Sequence, residues 1–159
     1  MREPHIDEQG AARMVDVGGK PEQRRVATAQ AVVRLGQPAM EALAHGRLAK
    51  GDALAVARIA AIQAAKRTPD LIPLCHPLAI EHVSADIALD EQACSVTVTT
   101  TVATTGRTGV EMEALTAATA GALAVYDMVK GQDGPAPVIE RVVLLEKTVD
   151  GQSRGTAPA

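Results

Sequence analysis

Asp127 and Lys130 stand three residues apart in the string YDMVK, a spacing that makes them neighbours on one helix face. A carboxylate beside an amine is a proton-transfer pair, able to serve nitrogen and oxygen centres in turn. Lys50, next to a helix start, and Lys66 with Arg67, at the close of the same helix, are further candidates. A lysine near another cation, or partly desolvated, has its pKa lowered towards neutrality, where it can exchange protons. The common alternative for each is a solvated surface chain. Cations spread over separate segments suit a polyphosphate if the fold gathers them.

Arg107 lies in the Gly106–Gly109 turn before a helix, where free backbone N–H groups and the helix dipole favour an anion. The turn is too short for a nucleotide-binding Gly-rich loop. In LIPLCHPL, His76 is followed by Pro77 and has little backbone freedom, which suits a fixed hydrogen bond to a substrate. A metal centre needs three or four ligands, and no CxxC or HxxxH accompanies this string, so no metal site is expected. A nucleophilic Cys75 would need a base and an orienting partner, and beside Leu74 plain packing is the simpler role.

These groups need elements to hold them, and the central one is Thr105–Lys130. Thr108 and Glu111 have capping-box spacing ahead of a helix. Its body is small (Ala114, Ala117, Ala118, Ala120, Gly121, Ala122, Ala124), so it can pack closely on a neighbour. Charges are absent between Glu113 and Asp127, fourteen residues apart. Those two lie within about 40° of one face but roughly 21 Å apart along the axis. One small pocket on one chain cannot hold both. Two chains paired by symmetry can bring the front of one helix to the back of the other, so an oligomer with composite sites is expected. The plain alternative is that the acids suit the helix N-terminus and Lys130 its C-terminus.

Along the chain, Met14–Val17 is a strand candidate and 24–35 a long strand. Pro38 opens a brief helix that Gly46 closes, and Asp52 caps a helix to about Arg67. The prolines of 68–78 favour an extended segment without helix. Strands follow at 83–89 and 94–102, joined as a hairpin, and a last strand spans 138–147. Setting aside the first strand and the short helix, the order is β-α-β-β-α-β. The expected fold is therefore α+β, a ferredoxin-like sandwich whose antiparallel sheet carries its helices on one face. Residues 1–12 are expected to be a flexible lead, 13–147 a single domain and 148–159 a flexible tail.

Composition narrows the class. The chain is 47% hydrophobic but has one Tyr and no Phe or Trp, so burial must come from many small contacts or from association between copies. Net charge is −3, and without aromatics for base stacking no nucleic-acid partner is expected. No apolar run is long enough for a membrane span. Two cysteines, Cys75 and Cys94, make no disulfide framework, which fits the reducing cytoplasm.

Taken together, TGVEMEALTA, YDMVK, KGD, AAKRT and LIPLCHPL resemble the cyclic pyranopterin monophosphate synthase family, protein C of molybdenum cofactor biosynthesis. The resemblance covers roughly residues 10–147. It implies an enzyme, a lyase that takes the cyclised dihydro-GTP made by a radical-SAM partner. That enzyme rearranges it to cyclic pyranopterin monophosphate and releases pyrophosphate. It implies a ferredoxin-like hexamer, a trimer of dimers, with sites between subunits; no cofactor is required, although Mg²⁺ can accompany the pyrophosphate. Asp127, Lys130 and Lys50 would be catalytic. Leu74, Cys75, His76, Met112 and Glu113 would line the substrate with Glu111 nearby, and Arg25, Lys66 and Lys147 would face its phosphates and base. The chain departs from the family pattern at Val129, in the 131–137 loop and after Lys147. A rival expectation is a non-catalytic binding and assembly protein for nucleotide or pterin phosphates. A regulatory sensor of the same fold fits the many charged groups less well.

Overall fold

A computed structural model describes residues 5–7 and 9–156. The elements run β1 (Gln23–Arg34), α1 (Gln37–Ala44), α2 (Ala53–Lys66), α3 (Thr68–Leu71), β2 (His82–Asp90), β3 (Ser95–Gly106), α4 (Glu111–Val129), β4 (Val138–Val149) and β5 (Gln152–Thr156). The sheet is antiparallel throughout, in the order β2-β3-β1-β4-β5. Its first four strands with α2 and α4 give the ferredoxin-like order, and β5 extends the β4 edge.

Alternation along the strands decides which face is covered. On β3, Val96, Val98, Thr100 and Val102 are buried while Thr97, Thr99 and Thr101 are only half-buried. On β1 the matching buried set is Ala27, Ala29, Ala31 and Val33. α2 and α4 lie side by side over this face. Gly121 makes the close approach work: a Cβ there would sit 2.9 Å from Val98 Cγ1 and 3.5 Å from Ala57 O. The Thr100 hydroxyl, fully buried, donates to Ala114 O at 2.8 Å and ties α4 to the sheet. Small side chains thus do bring helix, helix and sheet together, as the composition requires.

Local signals explain most of the helix ends. Pro38 sits in the first turn of α1, and Gly46 (φ +63°) follows its end. Asp52 caps α2, its Oδ1 accepting from the N–H groups of Leu54 and Ala55, each at 3.0 Å. Four expectations fail. Met14–Val17 forms no strand; Val15 O instead accepts from His76 Nε2 at 2.8 Å. The 68–78 segment is not wholly extended, because Pro69 falls in the first turn of α3, where its missing N–H costs no bond. Thr108 and Glu111 make no capping box: Val110 is the N-cap, without a side-chain bond, and Glu111 turns to Lys147. The 148–159 tail is not loose through 156. β4 continues to Val149, and Asp150 (φ +48°) with Gly151 (φ +77°) turns the chain into β5. Asp150 fixes that turn by accepting from Arg24 N and Gln23 Nε2, each at 2.9 Å. Residues 1–4, 8 and 157–159 of the expected lead and tail lie outside the described residues.

Candidate active site

α4 carries a chemical cluster at each end. At its C-terminal end, Asp127 Oδ1 accepts from Lys130 Nζ at 2.7 Å and Oδ2 from Lys50 Nζ at 2.8 Å. Lys130 arrives through helix spacing, and Lys50 from the turn before α2. All three side chains are about half exposed. Bonds first from Lys130 and then from Lys50 hold the Asp127 carboxyl down at about 2. The hydrogen bond to Asp127 in turn raises Lys130 above the ordinary amine value. For Lys130 this overturns the expectation of a lowered lysine: the hydrogen bond and the charge of Asp127 outweigh the slight desolvation. The cluster is a carboxylate gripped by two amines, and Lys130 keeps its proton more tightly than a free lysine would.

At the N-terminal end, Glu113 is 1% exposed, and its Oε1 accepts from Cys75 Sγ at 3.3 Å. Its Oε2 is buried without a partner. Burial, above all, raises the Glu113 pKa. Burial and the facing carboxylate push the Cys75 thiol up to about 12. The thiol is a hydrogen-bond donor to Glu113, and its raised pKa disfavours the nucleophilic thiolate. Glu113 and Asp127 therefore lie near one line of α4 yet meet opposite environments.

Around this end lies a cleft of about 860 Å³ lined by Leu74, Cys75, His76, Glu111 and Met112. Leu74 and Met112 are each 38% exposed there, an apolar surface suited to the flat face of a heterocycle. Asp16 and Lys20 also line it, and were not singled out from the sequence. Their signal was VDVGGK, an Asp followed by Gly-Gly, and Asp16 Oδ1 does accept from Gly18 N at 2.7 Å. A second cavity of about 250 Å³ is lined by Arg25, Lys147, Glu111 and residues of β1 and β4. Arg25 is fixed there by donating Nε–H to Gly106 O at 3.0 Å. Lys147 Nζ meets Glu111 Oε1 at 3.0 Å. Lys66 ends α2 exposed and lines neither cavity.

α2 runs antiparallel to α4, since Lys50 before it meets Asp127 and Cys75 beyond it meets Glu113. The fold thus gathers the sequence candidates other than Lys66 into two groups and keeps the groups apart. The departing 131–137 loop is packed down elsewhere: a Cβ on Gly36 would fall 2.8 Å from Pro135 Cδ. Arg107 is occupied by Glu22 at 3.7 Å. Among the described residues, no three His, Cys, Asp or Glu side chains gather as a metal centre. Nor is any helix among them long and apolar enough to cross a membrane.

The MoaC family pattern matches residues 14–150 of this chain. A cyclic pyranopterin monophosphate synthase of Geotalea uraniireducens (strain Rf4) is 54% identical over 143 residues, 90% of this chain and 89% of that protein. One of Roseiflexus castenholzii is 56% identical over 129 residues, 81% of this chain and 82% of the relative. One of Herpetosiphon aurantiacus is 52% identical over 151 residues, 95% and 90% of the two chains. With both clusters inside the matched residues and half the positions shared along nearly the whole domain, the chain belongs to the MoaC family.

Proposed function

We propose that this chain is a cyclic pyranopterin monophosphate synthase of molybdenum cofactor biosynthesis, an enzyme converting a cyclised dihydro-GTP to that product and pyrophosphate. The conversion needs no oxidant or reductant: ring bonds are opened and reclosed, and a hydroxyl oxygen replaces pyrophosphate on the α-phosphorus. The observation that carries this reading is the grip of Asp127 on two amines from separate elements, Lys50 and Lys130. Protons must move to and from nitrogen and oxygen as the ring opens and recloses. The amines of Lys130 and Lys50 carry the protons, and Asp127, bonded to both, holds them in reach. Attack at phosphorus builds negative charge on the leaving pyrophosphate, which cations offset. Arg25 and Lys147 are suited to that task, and Lys66 joins them only from another position on the surface. His76, fixed by Val15 O, and the apolar pair Leu74 and Met112 suit the guanine-derived part.

The complete site takes one cluster from each of two chains, in a homo-oligomer that the family resemblance makes a hexamer. Fourteen helical residues, roughly 21 Å, separate the two clusters on one chain, further than one substrate of this size spans. The substrate comes from a radical-SAM cyclase, no protein-bound cofactor takes part, and the reaction is cytoplasmic. Any Mg²⁺ enters with the pyrophosphate. The test is direct: cyclised dihydro-GTP is supplied to the purified chain, and cyclic pyranopterin monophosphate and pyrophosphate are measured in equal amounts. Tight binding of that substrate with no product would sink the catalytic reading.

A further inference from the structure

Between β3 and α4 the chain passes through Gly109, where a Cβ would fall 1.8 Å from Glu111 Oε2 and 2.6 Å from its Cδ. No side chain can occupy that space while Glu111 stays where it is. Gly109 is not among the glycines with left-handed backbone, so contact and not conformation demands a glycine there. The Glu111 carboxylate lies back across this gap, and its Oε1 takes Lys147 Nζ at 3.0 Å. Gly109 and Glu111 line both cavities, the cleft with His76 on one side and the basin with Arg25 on the other. Glu111 therefore stands in the wall between them, with Lys147 on the side of the basin.

We propose that Gly109 is a positioning residue: lacking a side chain, it lets Glu111 hold Lys147 and close the wall between the two cavities. This rests on the function proposed above and names a residue through which that site is set. Lys147 is held by a carboxylate until a phosphate oxygen competes for it, so the amine meets the substrate already in place. Glu111 is a flexible chain, and an Ala at 109 displaces its carboxylate without moving backbone. The fold survives and the pair does not.

Lys147 reactivity decides this without reference to turnover. The native protein, Gly109→Ala, Glu111→Ala and the double variant are treated with an amine-acylating reagent, and modification at Lys147 is followed by mass spectrometry. Gly109→Ala should raise the rate roughly two- to fivefold, the range a part-exposed ion pair sets, and match Glu111→Ala. Measured on the same proteins, kcat and KM should change alike in both single variants, with no further loss in the double variant. An unchanged Lys147 rate in Gly109→Ala, losses that multiply in the double variant, or a Gly109→Ala chain that fails to fold each overturns the proposal. A native protein without turnover overturns the proposed function instead, and the labelling result still stands.

Discussion

Lys50 reaches Asp127 twice, meeting its side-chain Oδ2 at 2.8 Å and its backbone carbonyl at 2.7 Å. The amine is thereby pinned to the last turns of α4 from a different element, while Lys130 closes the other carboxylate oxygen. The double grip fixes Lys50 in direction as well as distance, which a proton donor requires.

Removing either amine should cost catalysis and not folding. Lys50→Ala and Lys130→Ala should each lower kcat about 100-fold or more, the lower range for a general acid or base. Both side chains are about half exposed, so thermal melting should hardly move. Lys130→Arg keeps the charge but scarcely releases its proton, and should not restore the rate. Full turnover in any of these variants would remove the acid–base assignment.

Glu113 sets a pH dependence of stability with a definite sign. Burial raises its pKa in the folded protein above the ordinary 4.5, so the folded state holds the proton more tightly than the unfolded chain. Stability from this group is complete below 4.5 and falls as pH rises through the interval up to the folded value. Glu113→Gln removes the fall. Denaturant titrations from acid to neutral pH should therefore show the variant gaining on the native protein as pH rises, and a constant gap would contradict this.

Gly121→Ala tests the close packing that holds the two clusters on one rigid body. The added methyl would meet Val98 Cγ1 at 2.9 Å on one side and α2 on the other. Overpacking of this kind costs about 1–3 kcal/mol, to be read from the midpoint of chemical denaturation. Native stability in this variant would mean that α4 can shift on the sheet.

Much of this was legible from sequence because the signals were local. Asp52 before an apolar run, Pro38 in a first turn and alternation through β2 and β3 each act within a few residues. The β-α-β-β-α-β order then followed. The DG pair at 150–151 was itself a hairpin signal, since both residues take positive φ, but it lay in a polar stretch that looked like a tail. What sequence could not settle were choices between partners. Glu111 had the spacing to cap α4 and instead met Lys147, a residue 36 positions away. The VDVGGK turn of Asp16 and Lys20 was legible, but its place beside the cleft came from tertiary packing. Burial shifts both Cys75 and Glu113, and the Glu113 carboxylate adds to the shift on Cys75, which no spacing reports.

The proposed pairing of the two α4 clusters as halves of sites completed by a second chain is tested most directly by co-assembly of two damaged chains. One chain carries Lys50→Ala, harming only the C-terminal cluster, and the other His76→Ala, harming only the N-terminal one. Each is expected to be nearly inactive alone. Refolded or co-expressed in equal amounts, random pairing leaves about a quarter of the sites with both halves intact, so activity should return to about that fraction of native. If the mixture stays as inactive as its parts while assembling normally, each site is built within one chain and the account fails.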